Sequence, residues 1–112
     1  MDTRFEKIDR NLIVTLSGEL DHHTAASVKD SIDTEIGRLS AKNVIFKLDG
    51  VTFMDSSGIG MIIGRYKQAR AFGGDVRLTG ASPGVMRLIE ISGLRKIIKH
   101  YPSLDQALAD ND

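Results

Sequence analysis

The sequence contains no cysteine, which excludes a disulfide framework and any metal site built on thiolates. It has no excess of either charge, because 15 basic and 15 acidic side chains give a formal net charge of zero. A basic surface for nucleic acid is therefore not indicated. No stretch approaches the roughly 20 apolar residues that cross a bilayer, and the charged start "MDTRFEKIDR" has no apolar core of a signal peptide. We expect a cytoplasmic protein without nucleic-acid or membrane partners.

The composition that remains is that of an ordinary folded domain. Hydrophobic residues make up 41% of the sequence and charged residues 27%, close to the average for globular domains. A chain of 112 residues has room for one core but not for a cofactor domain beside a substrate domain. We therefore expect one domain over residues 1–112, with a single site or a single surface.

Alternating apolar residues predict strands in "NLIVTLSGEL" and "NVIFKLDG", where the second residue of each run begins an apolar face. Shorter strands are predicted at "TRFEKID", "DVRLTG" and "KIIKHY". The first of these is expected to form a hairpin with "NLIVTLSGEL" through a turn at Arg10 and Asn11.

Apolar residues at helical spacing predict a helix in each segment between these strands. One follows the loop "GELDHHT", where Asp21 or Thr24 is expected to cap it. The next ends at Gly73 and Gly74, and a third begins at Ser82-Pro83 and ends at Gly93. A last one opens with a capping box in "SLDQALAD". Strands and helices alternate throughout, which predicts an α/β fold.

The segment "MDSSG" places three capping residues where a strand leads into a helix. Capping alone is the usual role of Ser or Asp at this place, but one of them is enough to cap the helix, so the surplus leaves a second role open. Backbone N–H groups at a helix start are unpaired and favour anions. A phosphate on Ser56 is therefore expected to find donors that already point at it. The same donors would suit a nucleotide, and this alternative stays open.

Enzymatic interpretations fit the same segment poorly. No glycine lies two residues before either serine, so the nucleophile elbow of a serine hydrolase is missing. Gly58, Gly60 and Gly64 have a spacing one residue too long for a dinucleotide fingerprint, and no P-loop is present. We expect instead that Gly64 lets a neighbouring element pack close. His22 and His23 have no further ligand at a suitable spacing to complete a metal site.

The blocks "LSGELDHHTA" and "FMDSSGIGMIIGRYKQ" resemble the STAS-domain anti-sigma factor antagonists, in particular the sporulation type. The resemblance extends over residues 11–108. It implies a small mixed sheet packed with about four α-helices. It also implies a non-enzymatic switch protein that needs no cofactor.

For its partners, the resemblance implies an anti-sigma factor that is also a serine kinase, from which the protein displaces the sigma factor. The kinase modifies the serine directly after the aspartate, which is Ser56 here, and a PP2C-type phosphatase reverses the reaction. We expect the partner to contact the loop before the first helix, the start of the next helix and the exposed side of that helix. The residues expected there are Asp21, Met54, Asp55, Ser56, Ser57, Gly58, Ile59, Gly60 and Arg65.

Overall fold

Five strands form one mixed sheet in the computed structural model, which describes residues 1–110. The first strand pairs antiparallel with the second, and the remaining neighbours pair in parallel. The predicted α/β class and mixed sheet are confirmed, while the last two residues of the expected domain lie outside the described residues. In chain order, which is also their order across the sheet, the strands are β1 (Asp2–Ile8), β2 (Asn11–Leu20), β3 (Asn43–Met54), β4 (Val76–Thr79) and β5 (Lys99–Tyr101).

The four expected α-helices cover both faces of this sheet unequally. The main core joins three of them to the face that carries Leu12, Val14 and Phe46, all with no exposed surface. A smaller cluster packs the last helix against Ile13 and Ile45 on the opposite face. A 3-10 turn over Leu94–Lys96 follows the third helix, and the helices are α1 (Ala25–Leu39), α2 (Ser56–Ala71), α3 (Pro83–Ser92) and α4 (Leu104–Ala109).

Local capping chemistry sets the helix ends that were predicted from it. The Ser82 hydroxyl accepts a hydrogen bond from the Val85 N–H at 3.3 Å, and Gly93 follows α3 with a left-handed φ of 79°. Gly73 follows α2 with a φ of 80°, a conformation that glycine adopts without a Cβ penalty. The Gly74 N–H donates to the Ala69 carbonyl at 2.8 Å, which completes a Schellman motif.

Two local predictions were wrong. The hairpin turn consists of Asp9 and Arg10, because Asn11 already pairs with Ile8 as a strand residue. The last strand begins at Lys99, so only half of "KIIKHY" is a strand. The residues before it instead close the 3-10 turn after α3, where the Ile97 N–H donates to the Leu94 carbonyl at 3.1 Å.

β3 is longer than its predicted eight-residue run and continues to Met54, directly before α2. Its pairing with β2 shifts twice, and at the second shift Gly18 pairs with Val51 while the next residue, Glu19, pairs with Phe53. The extra residue of β3 is a bulge, which interrupts the alternation of side chains. Val51 is therefore buried, whereas the Phe53 residue is 48% exposed.

Candidate functional site

Asp55 is the residue that caps α2. Its backbone is extended, and its Oδ1 accepts hydrogen bonds from the Ser57 N–H at 2.8 Å and the Gly58 N–H at 3.3 Å. These are two of the N–H groups that have no partner inside the helix. Of the three possible capping residues in "MDSSG", only the aspartate caps the helix.

The hydroxyls of the two serines therefore do not cap the helix. Ser56 is the first residue of α2 and is exposed, and Ser57 beside it is half-buried. Within residues 1–110, neither hydroxyl makes a hydrogen bond. Ser56 thus presents an unpaired hydroxyl to solvent at the carboxyl end of a central strand, where sheets of this class usually carry their sites.

The expectation that vacant N–H donors surround Ser56 needs correction. The N–H groups of Ser57 and Gly58 already donate to the Asp55 carboxylate. An added phosphate would have to compete with that carboxylate for them. A phosphate on Ser56 therefore lies beside a negative charge, and its stabilisation by the helix end is limited to the dipole contribution of about 0.3–1 kcal/mol.

The loop between β2 and α1 meets the start of α2, as expected for two segments that follow parallel strands. The Asp55 N–H donates to the Leu20 carbonyl at 3.2 Å. The second oxygen of the Asp55 carboxylate accepts from the His22 N–H at 3.2 Å and lies 4.0 Å from the His22 Nδ1. Asp55 thus holds both loops together with one side chain.

Asp21 organises its own loop and does not cap α1. Its Oδ1 accepts from the His23 N–H at 2.9 Å and the Thr24 N–H at 3.2 Å. Thr24 occupies the N-cap position, but its hydroxyl donates to the Glu19 carbonyl at 3.0 Å and makes no cap. The prediction of a side-chain cap from either residue was therefore wrong. Burial alone would raise the pKa of the Asp21 carboxyl, but the hydrogen bonds from His23 and Thr24 outweigh it, and the pKa is lowered.

Besides Arg65, which lies further along α2, three of the expected partner residues lie beneath the surface. Met54 and Ile59 are 7% and 6% exposed, and Gly58 is buried. A Cβ on Gly58 would lie 2.7 Å from the Met54 Cγ and 2.9 Å from the Leu20 carbonyl oxygen. Gly58 thus lets α2 pack closely on the strand ends.

The other two glycines of α2 have open space around them. No atom lies within 4 Å of a Cβ built on Gly60 or Gly64. The expectation that Gly64 permits close packing was wrong. Gly60 is exposed one helical turn from Ser56, so this part of α2 has no side chain that would cover the hydroxyl.

Arg65 does not lie on the exposed side of α2, contrary to the prediction. Its side chain is 8% exposed, and its Nε lies 3.1 Å from the Asp33 Oδ1 on α1. The same Nε donates to the Gln68 Oε1 at 3.1 Å, and Lys29 Nζ lies 3.3 Å from the other Asp33 oxygen. Arg65 therefore joins two helices and is removed from the expected partner surface. The sequence predicted both helices but not which of their faces meet.

Phe53 is a surface residue that the sequence interpretation did not single out. Its aromatic side chain is nearly half exposed and precedes the buried Met54. Alternation continued from the buried Val51 would have placed Phe53 on the same side of β3, in the core. Only the shift in pairing, which involves a residue of the distant β2, turns it outward.

Residues 1–110 contain neither a membrane-spanning helix nor a cluster of metal ligands. No helix in that part of the chain is long and apolar enough to cross a membrane. No group of three or more His, Asp or Glu residues is placed there to hold a metal ion. The ring centroids of the neighbouring His22 and His23 lie 3.8 Å apart.

The STAS domain profile matches residues 2–107. An anti-sigma F factor antagonist of Paenibacillus polymyxa is 43% identical over 99 residues, which are 88% of this chain and 85% of the relative. An anti-sigma-B factor antagonist of Listeria monocytogenes is 31% identical over 96 residues, which are 84% and 82% of the two chains.

The fold and the sequence agree with solved structures of the same class. SpoIIAA in its unphosphorylated form has a TM-score of 0.82 and 30% identity, with 96% of this chain and 93% of that chain covered. The phosphorylated form of Bacillus SpoIIAA has a TM-score of 0.73 and 29% identity, with 96% of each chain covered. The chain therefore belongs to the STAS-domain family. Relatives of the chain within that family include anti-sigma factor antagonists, and the predicted resemblance to them is confirmed.

Proposed function

We propose that the unphosphorylated protein binds an anti-sigma factor that is also a serine kinase, and that this binding frees a sigma factor. Phosphorylation of Ser56 by that kinase switches the binding off, and a PP2C-type phosphatase restores it. The protein itself is a non-enzymatic switch that acts in the cytoplasm on sporulation transcription. The unpaired, exposed hydroxyl of Ser56 carries this proposal, since Asp55 relieves it of the capping role.

A related protein supports a switch of this kind. SpoIIAA exists in an unphosphorylated and a phosphorylated form, and this chain matches both at 96% coverage. A modification that leaves the fold intact must act on the surface. The exposed position of Ser56 agrees with that, because its hydroxyl makes no hydrogen bond to the described residues that a phosphate would break.

The switch works through charge and shape. A phosphoserine adds about −1.5 to −2 charges at neutral pH. At Ser56 it stands beside the Asp55 carboxylate, whose side chain is 29% exposed, and near the loop of Asp21. The combined negative charge repels an acidic partner surface, and the phosphate occupies space that close contact requires. A tenfold loss of affinity takes only about 1.4 kcal/mol.

The proposed contact surface consists of the exposed and half-buried members of the expected set. The kinase reaches Ser56 across Gly60, which offers no side chain in its way. Met54, Gly58 and Ile59 support this surface from below and set its shape. The surface itself comprises Asp21, Asp55, Ser56, Ser57 and Gly60.

Mass spectrometry of the intact protein and its fragments tests the phosphorylation site. The protein is incubated with ATP and an anti-sigma factor kinase, beside a control without kinase. We expect one phosphate on Ser56 and none on the Ser56→Ala variant. Ser57→Ala is the matched control and should be modified like the unchanged protein. No phosphate with a kinase proven active, or a phosphate on Ser57 alone, would contradict the proposal.

Binding of the same kinase tests the charge mechanism. Ser56→Asp should keep its circular dichroism spectrum and bind at least about tenfold more weakly, which corresponds to about 1.4 kcal/mol. Ser56→Asn has similar size without the charge and should bind more tightly than Ser56→Asp. Equal affinities of the two variants would exclude charge as the cause.

A second candidate is the same switch in a stress response. The 31% identity to an anti-sigma-B factor antagonist favours it. A competition experiment with purified anti-sigma F and anti-sigma-B factors separates the two pathways. The factor that the protein binds more tightly identifies the pathway. A nucleotide-binding site at the start of α2 is disfavoured, because the Asp55 carboxylate already accepts from two of the backbone N–H groups that a phosphate would use.

A further inference from the structure

A cavity of about 450 Å³ lies at the end of the sheet opposite Ser56. It opens between the last turns of α1 and α2. Because α2 has 16 residues and rises about 1.5 Å per residue, its two ends are about 24 Å apart. The cavity is therefore separate from the proposed kinase surface, and its volume falls in the range of small-molecule sites. The residues that line the cavity include Arg10, Ile36, Lys42, Val44, Ala69 and Phe72.

The floor of this cavity is apolar. Ile36, Val44 and Ala69 line it, and Val44 and Ala69 belong to the main core. The aromatic ring of Phe72 stands at its edge in a residue that is 80% exposed. An exposed aromatic side chain over an apolar hollow provides a wall that a ligand can cover.

The rim carries two cations without a carboxylate partner. Among the described residues, neither Arg10 nor Lys42 forms an ion pair. The helix ends nearby do not require them, since their carbonyls are bound by backbone N–H groups. The Ile36 carbonyl accepts from Ala41 at 3.2 Å, and the Ala69 carbonyl accepts from Gly74 at 2.8 Å.

Backbone contacts hold the rim in place. The Arg10 carbonyl accepts from the Lys42 N–H at 2.9 Å and from the Asn43 N–H at 3.1 Å. Gly74 packs so closely on this loop that a Cβ there would lie 1.9 Å from the Lys42 carbonyl oxygen. Arg10 and Lys42 thus belong to one hydrogen-bonded corner of the backbone.

We propose that this cavity binds a small amphipathic anion, namely a medium-chain carboxylate. The apolar body lies over Ile36, Val44 and Ala69, and Phe72 covers it from the side. The carboxylate faces Arg10 and Lys42. This charge arrangement selects an anion over a neutral or cationic molecule with the same chain.

A titration of the full chain with decanoate, followed by ¹H–¹⁵N NMR, tests the site. For a ligand of this size we expect saturable binding with a dissociation constant on the order of 0.1–1 mM. The shifts should cluster at the last turns of α1 and α2. Decanol and decyltrimethylammonium have the same chain, and each should bind more weakly than decanoate.

Matched variants separate this site from unspecific binding. Lys42→Gln should weaken decanoate binding about two- to fivefold, as expected for a partly exposed charge, and Lys96→Gln should not. Phe72→Ala should weaken it about tenfold. Ile91→Ala is the control for that change, because Ile91 is equally apolar and 76% exposed, on α3.

Three results would overturn the proposal. Shifts that stay absent up to several millimolar decanoate exclude the ligand class. Equal binding of decyltrimethylammonium excludes the role of the two cations. A concentration-dependent dimer that Phe72→Ala abolishes would show that a second copy of the chain covers the hollow. None of these results bears on phosphorylation of Ser56, which takes place at the other end of α2.

Discussion

The carboxylate of Asp55 connects His22 to the start of α2. One oxygen accepts from the His22 N–H at 3.2 Å, and the other accepts from the Ser57 N–H at 2.8 Å. These residues belong to loops that follow two different parallel strands. The position of Ser56 relative to the β2–α1 loop therefore depends on this side chain together with the backbone hydrogen bond from Asp55 to Leu20, and the proposed contact surface depends on both.

Removing the Asp55 carboxylate should destabilise the protein, whereas removing the Ser56 hydroxyl should not. We expect Asp55→Ala to lower the free energy of unfolding by about 1–2 kcal/mol, since it deletes the cap of α2 and the contact with His22. Ser56→Ala should change it by at most about 0.5 kcal/mol. Urea unfolding measures both. If Ser56→Ala lowered the free energy of unfolding as much as Asp55→Ala does, the Ser56 hydroxyl would be a cap of the helix.

Two glycines of α2 should respond to alanine in opposite directions. Gly58→Ala places a Cβ 2.9 Å from the Leu20 carbonyl oxygen, a backbone atom that cannot turn away. We expect a loss of about 1–3 kcal/mol. Gly60→Ala meets nothing within 4 Å and should stabilise α2 by up to about 1 kcal/mol. Thermal unfolding of the two variants should move the melting temperature down and up, and equal shifts would contradict the packing role of Gly58.

The contact between Arg65 and Asp33 should stabilise the packing of α1 on α2. Arg65→Met leaves the Asp33 carboxylate with only Lys29 as an ionic partner. We expect a loss of about 1–3 kcal/mol, because the buried Asp33 Oδ1 makes no hydrogen bond within the described part of the chain and would also lose its ionic contact with Arg65. Arg70→Met is the control, because Arg70 is exposed on the same helix. Similar unfolding free energies for the two variants would show that burial of Arg65 contributes little.

The Asp21 carboxyl should make the loop before α1 sensitive to acid. Its pKa lies below the ordinary value of 3.8 in the folded protein, so the unfolded chain takes up this proton at a higher pH than the folded chain. The stabilising contribution is present above about pH 3.8 and is lost as the pH falls through the folded pKa. In Asp21→Asn this part of the pH dependence should disappear. Chemical unfolding between neutral pH and pH 3 measures it, with Glu6→Gln as a control at an exposed carboxyl.

Much of the fold could be predicted because its signals are local. The start of α3 at Ser82-Pro83 and the end of α2 at Gly73 follow from capping chemistry within a few residues. The apolar face of β2, with Leu12 and Val14, follows from a period of two. The turn at Asp9 and Arg10 was misplaced by one residue, because the pairing of Ile8 with Asn11 decides it.

The candidate site was predictable only in part. The resemblance identified Ser56, and the sequence predicted that a cap lies at "MDSSG". It did not predict that the Asp55 carboxylate occupies two of the N–H groups that were expected to bind a phosphate. Three residues of this segment can cap a helix, and the sequence does not say which of them does so. It also did not predict that Arg65 is buried, since a helical pattern of apolar residues does not say which neighbour each face meets.

By itself the sequence determined the order of strands and helices, the end of α2, the capped starts of α3 and α4, and the segment that carries Ser56. Periodicity and capping act over a few residues, so no knowledge of distant contacts was needed. Only the tertiary structure decided that Asp55 reaches His22, that Phe53 turns outward and that Arg65 pairs with Asp33. Each of these contacts joins residues more than thirty positions apart or depends on pairing between strands, and such contacts form only when the chain packs.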